Sequence, residues 1–564
     1  MHGHLRRLAA VAAMGAALLT APGPTAAGDP GPGQAQANAP QVAGDPSSEA
    51  SARFPTNKQN EPTIAVDPTD SARLIAGAND EQRQPPCGPG PVRGATLDSD
   101  CSFVAGVGTS GVYTSTDGGR TWTNRGLLDD QPSWQGAGVV SDGDPVVVFG
   151  PKPDGQGGFT FAHGARAYYS SLASVAGAKG LESIVVSASD DGGATWSAPV
   201  IGTTKTASRD FNDKSWLTVD TSPTSPFFGR VYLSWTEFRS ATATGNGSEP
   251  VMVAVSADGA RRFDAPTQLS PAGNNATGNG RQGSSSAVGP DGTVYVAFEQ
   301  GAEQVVAIST DGGARWSRPR TIGPVVDIAD PIPGASFRTN SFPVIAADPR
   351  DGSTILYAAW ATRTPDGGRV VVARSADRGE SWGAPVQVSA AEGYAFFPGL
   401  DVAGTGRVDV GYQALVAGDP ATFGTGNAAI DSYLVSSTSG LLWSSPQRVS
   451  EVSSDPAASA QNSLGRQFWG DYATLVSDHA GAWLIVTDSR RGVGCPAVDA
   501  YQRYLRDQGL AARGDMADRI AQRDTGVNPA LADPSVKPAP ALACPAQFGN
   551  TDAVVAHVIH PVPG

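Results

Sequence analysis

Ser115-Thr116-Asp117-Gly118-Gly119-Arg120-Thr121-Trp122 is a phrase that this chain repeats. It recurs as Ser189-Asp190-Asp191-Gly192-Gly193-Ala194-Thr195-Trp196, as Ser309-Thr310-Asp311-Gly312-Gly313-Ala314-Arg315-Trp316 and as Ser375-Ala376-Asp377-Arg378-Gly379-Glu380-Ser381-Trp382. Two worn copies run from Ser256-Ala257-Asp258-Gly259 to Phe263 and from Ser436-Ser437-Thr438-Ser439-Gly440 to Trp443. Self-similarity at a spacing of tens of residues marks a repeat architecture. Each copy follows a short apolar run, such as Val251-Met252-Val253-Ala254-Val255 or Val370-Val371-Val372-Ala373, and precedes another short strand. The phrase therefore reads as a hairpin turn. Its aspartate accepts hydrogen bonds from the turn's own amides, and glycine takes the positive φ that other residues resist. The tryptophan packs back over the turn. Asp117, Asp191, Asp258, Asp311 and Asp377 are accordingly assigned a structural role.

Two strands precede each turn. Unit one opens at Glu61–Val66 and continues with Arg73–Gly77; unit two opens at Asp144–Val148, then Gly158–Phe161. Unit three opens at Lys214–Val219, then Arg230–Trp235; unit four near Ser284–Val288, then Thr293–Phe298. Unit five opens at Phe342–Ile345, then Ile355–Ala358; unit six near Pro398–Val402, then Val408–Tyr412. Unit seven opens at Asp471–Val476, then Ala482–Val486, and has no box. Its third strand is placed at Asp552–Ile559, returning to close a ring. Successive box aspartates stand 74, 67, 53 and 66 residues apart, room for about four short strands with loops. The expectation is an all-β propeller of four-stranded antiparallel blades, seven by this count, six if one unit is a mis-split or an accessory hairpin. An insertion at 497–545 in the last blade carries Tyr501, Leu505, Leu510, Ala511 and Met516, spaced as in one or two amphipathic helices.

The ends of the chain indicate its compartment. Arg6 and Arg7, the apolar Leu8–Leu19 and Thr25-Ala26-Ala27 compose a secretory signal over residues 1–27, too short in its apolar part to span a bilayer. Residues 28–56, rich in Pro, Gly, Ala, Ser and Gln, read as an unstructured leader, and 57–564 as one propeller domain. The expected product is a secreted monomer with no transmembrane segment. Four cysteines in an exported chain favour disulfides over metal. Cys87 with Cys101 and Cys495 with Cys544 is the local pairing. Cross pairings would tie the two ends together, which a closed ring also permits. Neither a metal nor a cofactor is expected, although the acids of Asp142-Gly143-Asp144 could hold Ca²⁺ as well as serve as solvated loop acids. A net charge of −14 argues against nucleic acid as partner. Six histidines, two of them His2 and His4, and no Gly-x-Ser-x-Gly elbow argue against a Ser-His-Asp hydrolase.

Blade topology restricts where a site can lie. First strands start, and second strands end, on the face opposite the boxes, around the central channel, and such mouths favour ligands. That rim reads Asn60, Glu61, Asn79 and Asp80 in unit one, and Asp142, Asp144 and His163 in unit two. Asp213, Lys214, Glu237 and Arg239 follow in unit three, then Arg281, Gln282 and Glu299 in unit four. Arg338, Asn340 and Arg363 belong to unit five, and Tyr394, Tyr412 and Gln413 to unit six. Arg466, Trp469, Asp471, Tyr472, Asp488 and Arg490 complete it in unit seven. Carboxylates, arginines and aromatics together suit a carbohydrate.

The boxes resemble the Asp box, S-x-D-x-G-x-T-W, of bacterial neuraminidase repeats, and residues 57–564 look like a secreted member of the sialidase-like, Asp-box propeller superfamily. The resemblance implies an arginine triad on a substrate carboxylate, whose planar forks bind both oxygens. It also implies an Asp acid/base and a Tyr nucleophile assisted by Glu, the exception to two-carboxylate hydrolysis. Carried onto rim positions, these roles fall to Arg281, Arg338 and Arg490, with Arg466 able to replace one, to Tyr472 with Glu237 as its base, and to Asp80 or Asp144. Trp469 joins the substrate-binding set. Where the family has an arginine in a Phe/Tyr-Arg-Ile-Pro phrase, this chain has Gln59-Asn60-Glu61-Pro62, so the resemblance carries fold further than activity. The first reading is an exo-sialidase-like hydrolase of sialic acid or another acidic sugar. A non-catalytic propeller binding glycans or proteins, and a lyase or hydrolase of other specificity, are the alternatives. Convergent arginines would favour the first, scattered arginines the second, and a carboxylate pair without the triad the third.

Overall fold

The boxes fold through one repeated set of hydrogen bonds. Ser115 Oγ donates to Asp117 at 2.9 Å and accepts from the Gly119 amide at 2.9 Å. Asp117 in turn accepts from the Thr121 amide and hydroxyl at 2.9 and 2.6 Å. Asp191, Asp258, Asp311 and Asp377 repeat the pattern with their own neighbours. Ser381 and Ser375 hold the Asp377 carboxyl down at about 2. Trp122, Trp196 and Trp316 each donate their indole N–H to the box's second glycine carbonyl, at 3.0, 3.2 and 3.1 Å. The turn demands left-handed backbone: Gly119 has φ 84°, and where the worn third box substitutes alanine, Ala260 is forced to φ 61°. Ala260→Gly should therefore stabilise the protein by about 1 kcal/mol in urea unfolding; a loss of stability would contradict this account of the turn.

The computed structural model describes residues 33–40, 58–83, 88–92, 95–100, 107–175, 182–203, 211–239, 247–271, 281–390, 392–417, 428–460, 466–507, 544–545 and 547–560. The signal read at 1–27, most of the 28–56 leader, Cys87 and Cys101 lie outside them. The chain is an all-β propeller of antiparallel blades. Unit one is Gln59–Asp67, Asp70–Asp80, Ser110–Ser115 and Thr123–Leu127. Units three and four repeat that meander from Phe211–Val219 to Thr267–Gln268 and from Arg281–Val288 to Arg320–Pro324. Unit two adds Val139–Ser141 to the far end of its long Phe159–Val175 strand, giving five strands. The opening strands of the units touch in order, and that of unit seven, Thr474–Ser477, touches that of unit one.

The expected count of separate blades is corrected. Among the described residues, five sheets of blade size stand alone, not seven, and Val344–Arg448 forms one eight-stranded sheet. Its two halves, read as units five and six, are joined by a single parallel pair, Gly368 with Tyr394. Gly368 permits this approach: a Cβ there would stand 3.1 Å from the Ala395 carbonyl oxygen.

Each seam between units has its own apolar filling. Trp483, Tyr113, Leu74 and Ile64 fill the closing seam with Trp122 over them, and Trp360, Tyr295 and Ile308 fill the seam from four to five with Trp382. Closure uses both ends of the chain. Asp552–Ile559 is the third strand of unit seven, as expected, and pairs with Gly481–Asp488. The fourth strand is Gly33–Gln36, inside the segment read as an unstructured leader. Gln36 and Asn38 side chains both donate to Asp552, at 2.7 and 2.9 Å. Of the insertion, Pro496–Asp507 is an α-helix, tethered by the Cys495–Cys544 disulfide. No helix among the described residues is long and apolar enough to cross a membrane.

Candidate functional site

Bulges bring charge to the axis. Opening strands lose register between Asn60 and Thr63, Asp213 and Trp216, and Gln282 and Ser285. The residue inside each bulge is left-handed: Glu61 at φ 52°, Lys214 at φ 52° and Gly283 at φ 64°, with Asp144 at φ 48° ahead of unit two's first strand. Glycine takes this conformation freely, whereas Glu, Asp and Lys each store roughly 1–3 kcal/mol of strain there, a cost that concentrates at functional sites. Gly470 lets unit seven approach: a Cβ there would stand 2.6 Å from Glu61 Cγ.

These residues meet side chains from units that are not neighbours, which places the cluster on the axis. Glu61 accepts from Asn79 Nδ2 at 2.9 Å and from Arg338 Nη2 at 3.2 Å, and its carboxyl hydrogen-bonds to that of Asp144. Arg338 forks onto Asp471 at 2.6 and 2.5 Å. Asp144 accepts from the Lys214 amide at 3.2 Å. The Lys214 ammonium lies 3.8 Å from the centroid of the Tyr472 ring and 5.0 Å from that of Trp216. Asp471 is the outward member, 21% exposed, whereas Glu61 is only 2% exposed.

Burial and like charge set the protonation of the cluster. The hydrogen bond from Asp144 favours the ionised form of Glu61, but burial outweighs it. Burial, then the negative charge of Asp471, pushes the Glu61 carboxyl above its ordinary range. Burial lowers the Lys214 ammonium, against the pull of Asp144 and Glu61. Burial, Asp144 and Glu61 drive the Tyr472 phenol well above its usual value.

Of the residues named from sequence, Arg338, Asp144 and Tyr472 come together here. The Tyr472 hydroxyl donates to the Pro145 carbonyl at 3.2 Å. Glu237 is engaged by Arg239 at 2.8 Å. Asp80 is buried among Tyr113, Gln59 and Gln82, which donate to it at 2.7, 2.9 and 3.0 Å. Arg490 forks onto Asp488 at 2.9 and 2.7 Å, and the charge of Arg466 bears on Asp330. Arg281 opens its strand opposite Gln300; its side chain is outside the described set. Trp469 is buried, donating to Gln413 at 2.9 Å. Glu61 and Asp471 stood on the expected rim without a role. The aligned phrases Asn60-Glu61-Pro62, Gly143-Asp144-Pro145 and Asp213-Lys214-Ser215 were the signal for Glu61, and Asp471 follows the equivalent Gly470 by one residue.

A second acidic group lies where units three and four meet. Glu299 hydrogen-bonds to Asp327, with Glu249 nearby, and burial and Asp327 push Glu299 well above the carboxylate range. Gln282 donates to Glu249 at 3.2 Å. Among the described residues, no group of three or more His, Cys, Asp or Glu is placed to hold a metal ion.

Residues 165–395 match the family of the BNR repeat-like domain. No curated protein matches the chain. Among solved structures, an α-L-arabinofuranosidase of Fusarium graminearum is similar at 14% identity and TM-score 0.41, covering 71% of this chain and 97% of its own. A Penicillium chrysogenum α-L-arabinanase complexed with arabinobiose is similar at 14% identity and TM-score 0.39, over 65% and 91%. The intramolecular trans-sialidase of Ruminococcus gnavus is similar at 14% identity and TM-score 0.35, over 63% and 90%.

Proposed function

We propose that this chain, whose residues 165–395 match the BNR repeat-like domain, is an exported carbohydrate-active enzyme of the sialidase-like propeller superfamily, a glycoside hydrolase working at the axial cluster. The observation that carries this reading is Glu61: strained, buried, raised in pKa by burial and by Asp471, and linked through one Arg338 nitrogen to Asp471. A carboxyl with a raised pKa beside a second carboxyl is the pairing glycoside hydrolysis needs. Glu61 protonates the leaving glycosidic oxygen. Asp471, gripped by the Arg338 fork, faces the positive charge that develops on the sugar. Both carboxylates reach the same nitrogen, at 3.2 and 2.5 Å, which keeps them near the roughly 5 Å spacing of an acid and a nucleophile. Export fits the Cys495–Cys544 disulfide.

The arginine triad of the sialidase reading has no such support, since Arg338 is held by Asp471 and Glu61, and Arg490 by Asp488. A buried tyrosine whose hydroxyl donates to a backbone carbonyl, with two carboxyls opposing its ionisation, is a poor nucleophile. Tyr472→Phe should keep hydrolysis within about fivefold, the worth of one hydrogen bond. Arg338→Ala should lose far more, because Asp471 loses its counter-ion and the link that holds it beside Glu61 is gone. The test is hydrolysis of 4-nitrophenyl glycosides and 4-methylumbelliferyl sialoside by the purified protein. Absence of turnover on every substrate would end the hydrolase reading. Loss of turnover in Tyr472→Phe would return the nucleophile role to that residue.

A further inference from the structure

Two loops from units that are not neighbours run side by side at the mouth. Residues 336–338 precede the first strand of unit five, and residues 467–471 precede that of unit seven. Their side chains meet rung by rung. At the far end the Ser336 amide donates to Gln467 Oε1 at 2.8 Å, and the Gln467 amide donates to Ser336 Oγ at 3.1 Å. In the middle the rings of Phe337 and Trp469, both fully buried, stand 5.9 Å apart. At the axis Arg338 forks onto Asp471 at 2.6 and 2.5 Å, its guanidinium 4.8 Å from the Phe468 centroid. Asn340 donates to the Asp471 carbonyl at 2.8 Å. Asp330, with the charge of Arg466 bearing on it, accepts from the Thr339 amide at 3.3 Å and holds the loop beyond Arg338. Neither loop is a strand, so side-chain rungs carry their alignment.

The far rung is held from outside the blades. The helix Pro496–Asp507, tethered at its start by the Cys495–Cys544 disulfide, buries Val498, Asp499 and Gln502 on one face. A buried glutamine needs a polar partner. Gln502 Oε1 finds it in the Ser336 hydroxyl, 2.9 Å away and 166 residues earlier. That hydroxyl accepts from the Gln467 amide and donates to Gln502, so one atom ties both loops to the insertion. A satisfied buried polar network specifies one geometry.

We propose that Gln502 is a positioning residue for the axial site. It locks the Ser336–Gln467 rung, and through Phe337 and Trp469 that lock sets where Arg338 holds Asp471 beside Glu61. The inference rests on the proposed function, in which Glu61 and Asp471 are the reacting pair. Leverage from this distance is expected, since a misplacement of about 1 Å costs a reaction about 100-fold.

The experiment follows hydrogen exchange at Arg338 Nε–H by NMR, the resonance assigned with Arg338→Lys, beside kcat and KM on 4-nitrophenyl glycosides. Gln502→Met keeps the length of the side chain and removes the acceptor, and Ser336→Ala removes the shared hydroxyl. Each should speed the exchange by about tenfold or more and lower kcat by a similar factor, with KM moved by less than about twofold. Together they should do no more than Ser336→Ala alone, because both break the same bond. Val498→Ala trims the same buried helix face without touching the ladder. It should lower the urea midpoint and leave exchange and kcat within about twofold of wild type. Unchanged exchange in both Gln502→Met and Ser336→Ala overturns the inference. So does a Val498→Ala variant that speeds exchange as much as Gln502→Met, since helix stability alone would then be at work. Faster exchange with unchanged kcat also overturns it and leaves the hydrolase reading standing. If no glycoside is hydrolysed, the hydrolase reading fails and the exchange result alone decides whether Gln502 positions the Arg338–Asp471 pair.

Discussion

Glu61→Gln is expected to reduce kcat by about 10²–10⁴-fold on any substrate the protein hydrolyses, the usual worth of a positioned proton donor. KM should change little, because glutamine keeps the size of the side chain and can still accept from Asn79 and Arg338. The pH profile separates this from a packing defect. Burial and Asp471 raise the Glu61 pKa, so the protonated acid is present at low pH and lost as pH rises through the raised value. Wild-type activity should fall along that alkaline limb, and whatever remains in Glu61→Gln should lack it. The same shift bears on folding. The contribution of protonated Glu61 to stability is complete below its unfolded pKa of about 4.3 and disappears as pH rises through the folded one. A Glu61→Gln variant with more than half of wild-type kcat would remove Glu61 from the chemistry.

Asp409→Ala should cost about 3–5 kcal/mol of stability, the largest expected from a single polar substitution outside the axis. Asp409 is fully buried where units six and seven meet. It accepts from Arg407 Nε at 2.9 Å, Ser436 Oγ at 2.6 Å and Ser477 Oγ at 2.8 Å, with His560 Nε2 at 3.3 Å. Arg407 also donates to the carbonyls of Asp478 and Gly481, both at 2.9 Å. Truncation leaves a buried guanidinium without its carboxylate, and that uncompensated charge is the main cost. Urea unfolding measures it, and a loss below about 1 kcal/mol would contradict the assignment. Burial opposes ionisation of Asp409, yet His560 and Arg407 keep its pKa low, so its contribution is present above about pH 4 and lost as pH falls. Asp401, beside it, behaves oppositely. Burial raises it to about 6 although the amides of Ser477 and Val402 donate to it. Asp401→Asn should therefore gain relative stability over wild type as pH rises from about 4 through 6.

The fold was legible because box chemistry is local. Asp117 and Gly119 are two residues apart, and every bond they make in the turn lies within eight residues. The rim was legible for a related reason, since strand starts can be read from where apolar runs begin. What joins units was not. The Gly368–Tyr394 pair depends on how closely two sheets approach, and no feature of either residue announces it. The role proposed for Glu61 depends on a bulge in its strand, and on Arg338, 277 residues away. Tyr472 was given a role by resemblance, and burial against Lys214 speaks against it. Gly33–Gln36 lay in a stretch whose composition predicts no structure; it is a strand because Asp552–Ile559 offers it an edge.

That clasp has a consequence for cooperativity. Gln36 and Asp552 stand 516 residues apart, so the contact that shuts the circle carries a large loop-closure entropy. Without either strand the blades are left as an open arc, in which distant blades should unfold separately rather than together.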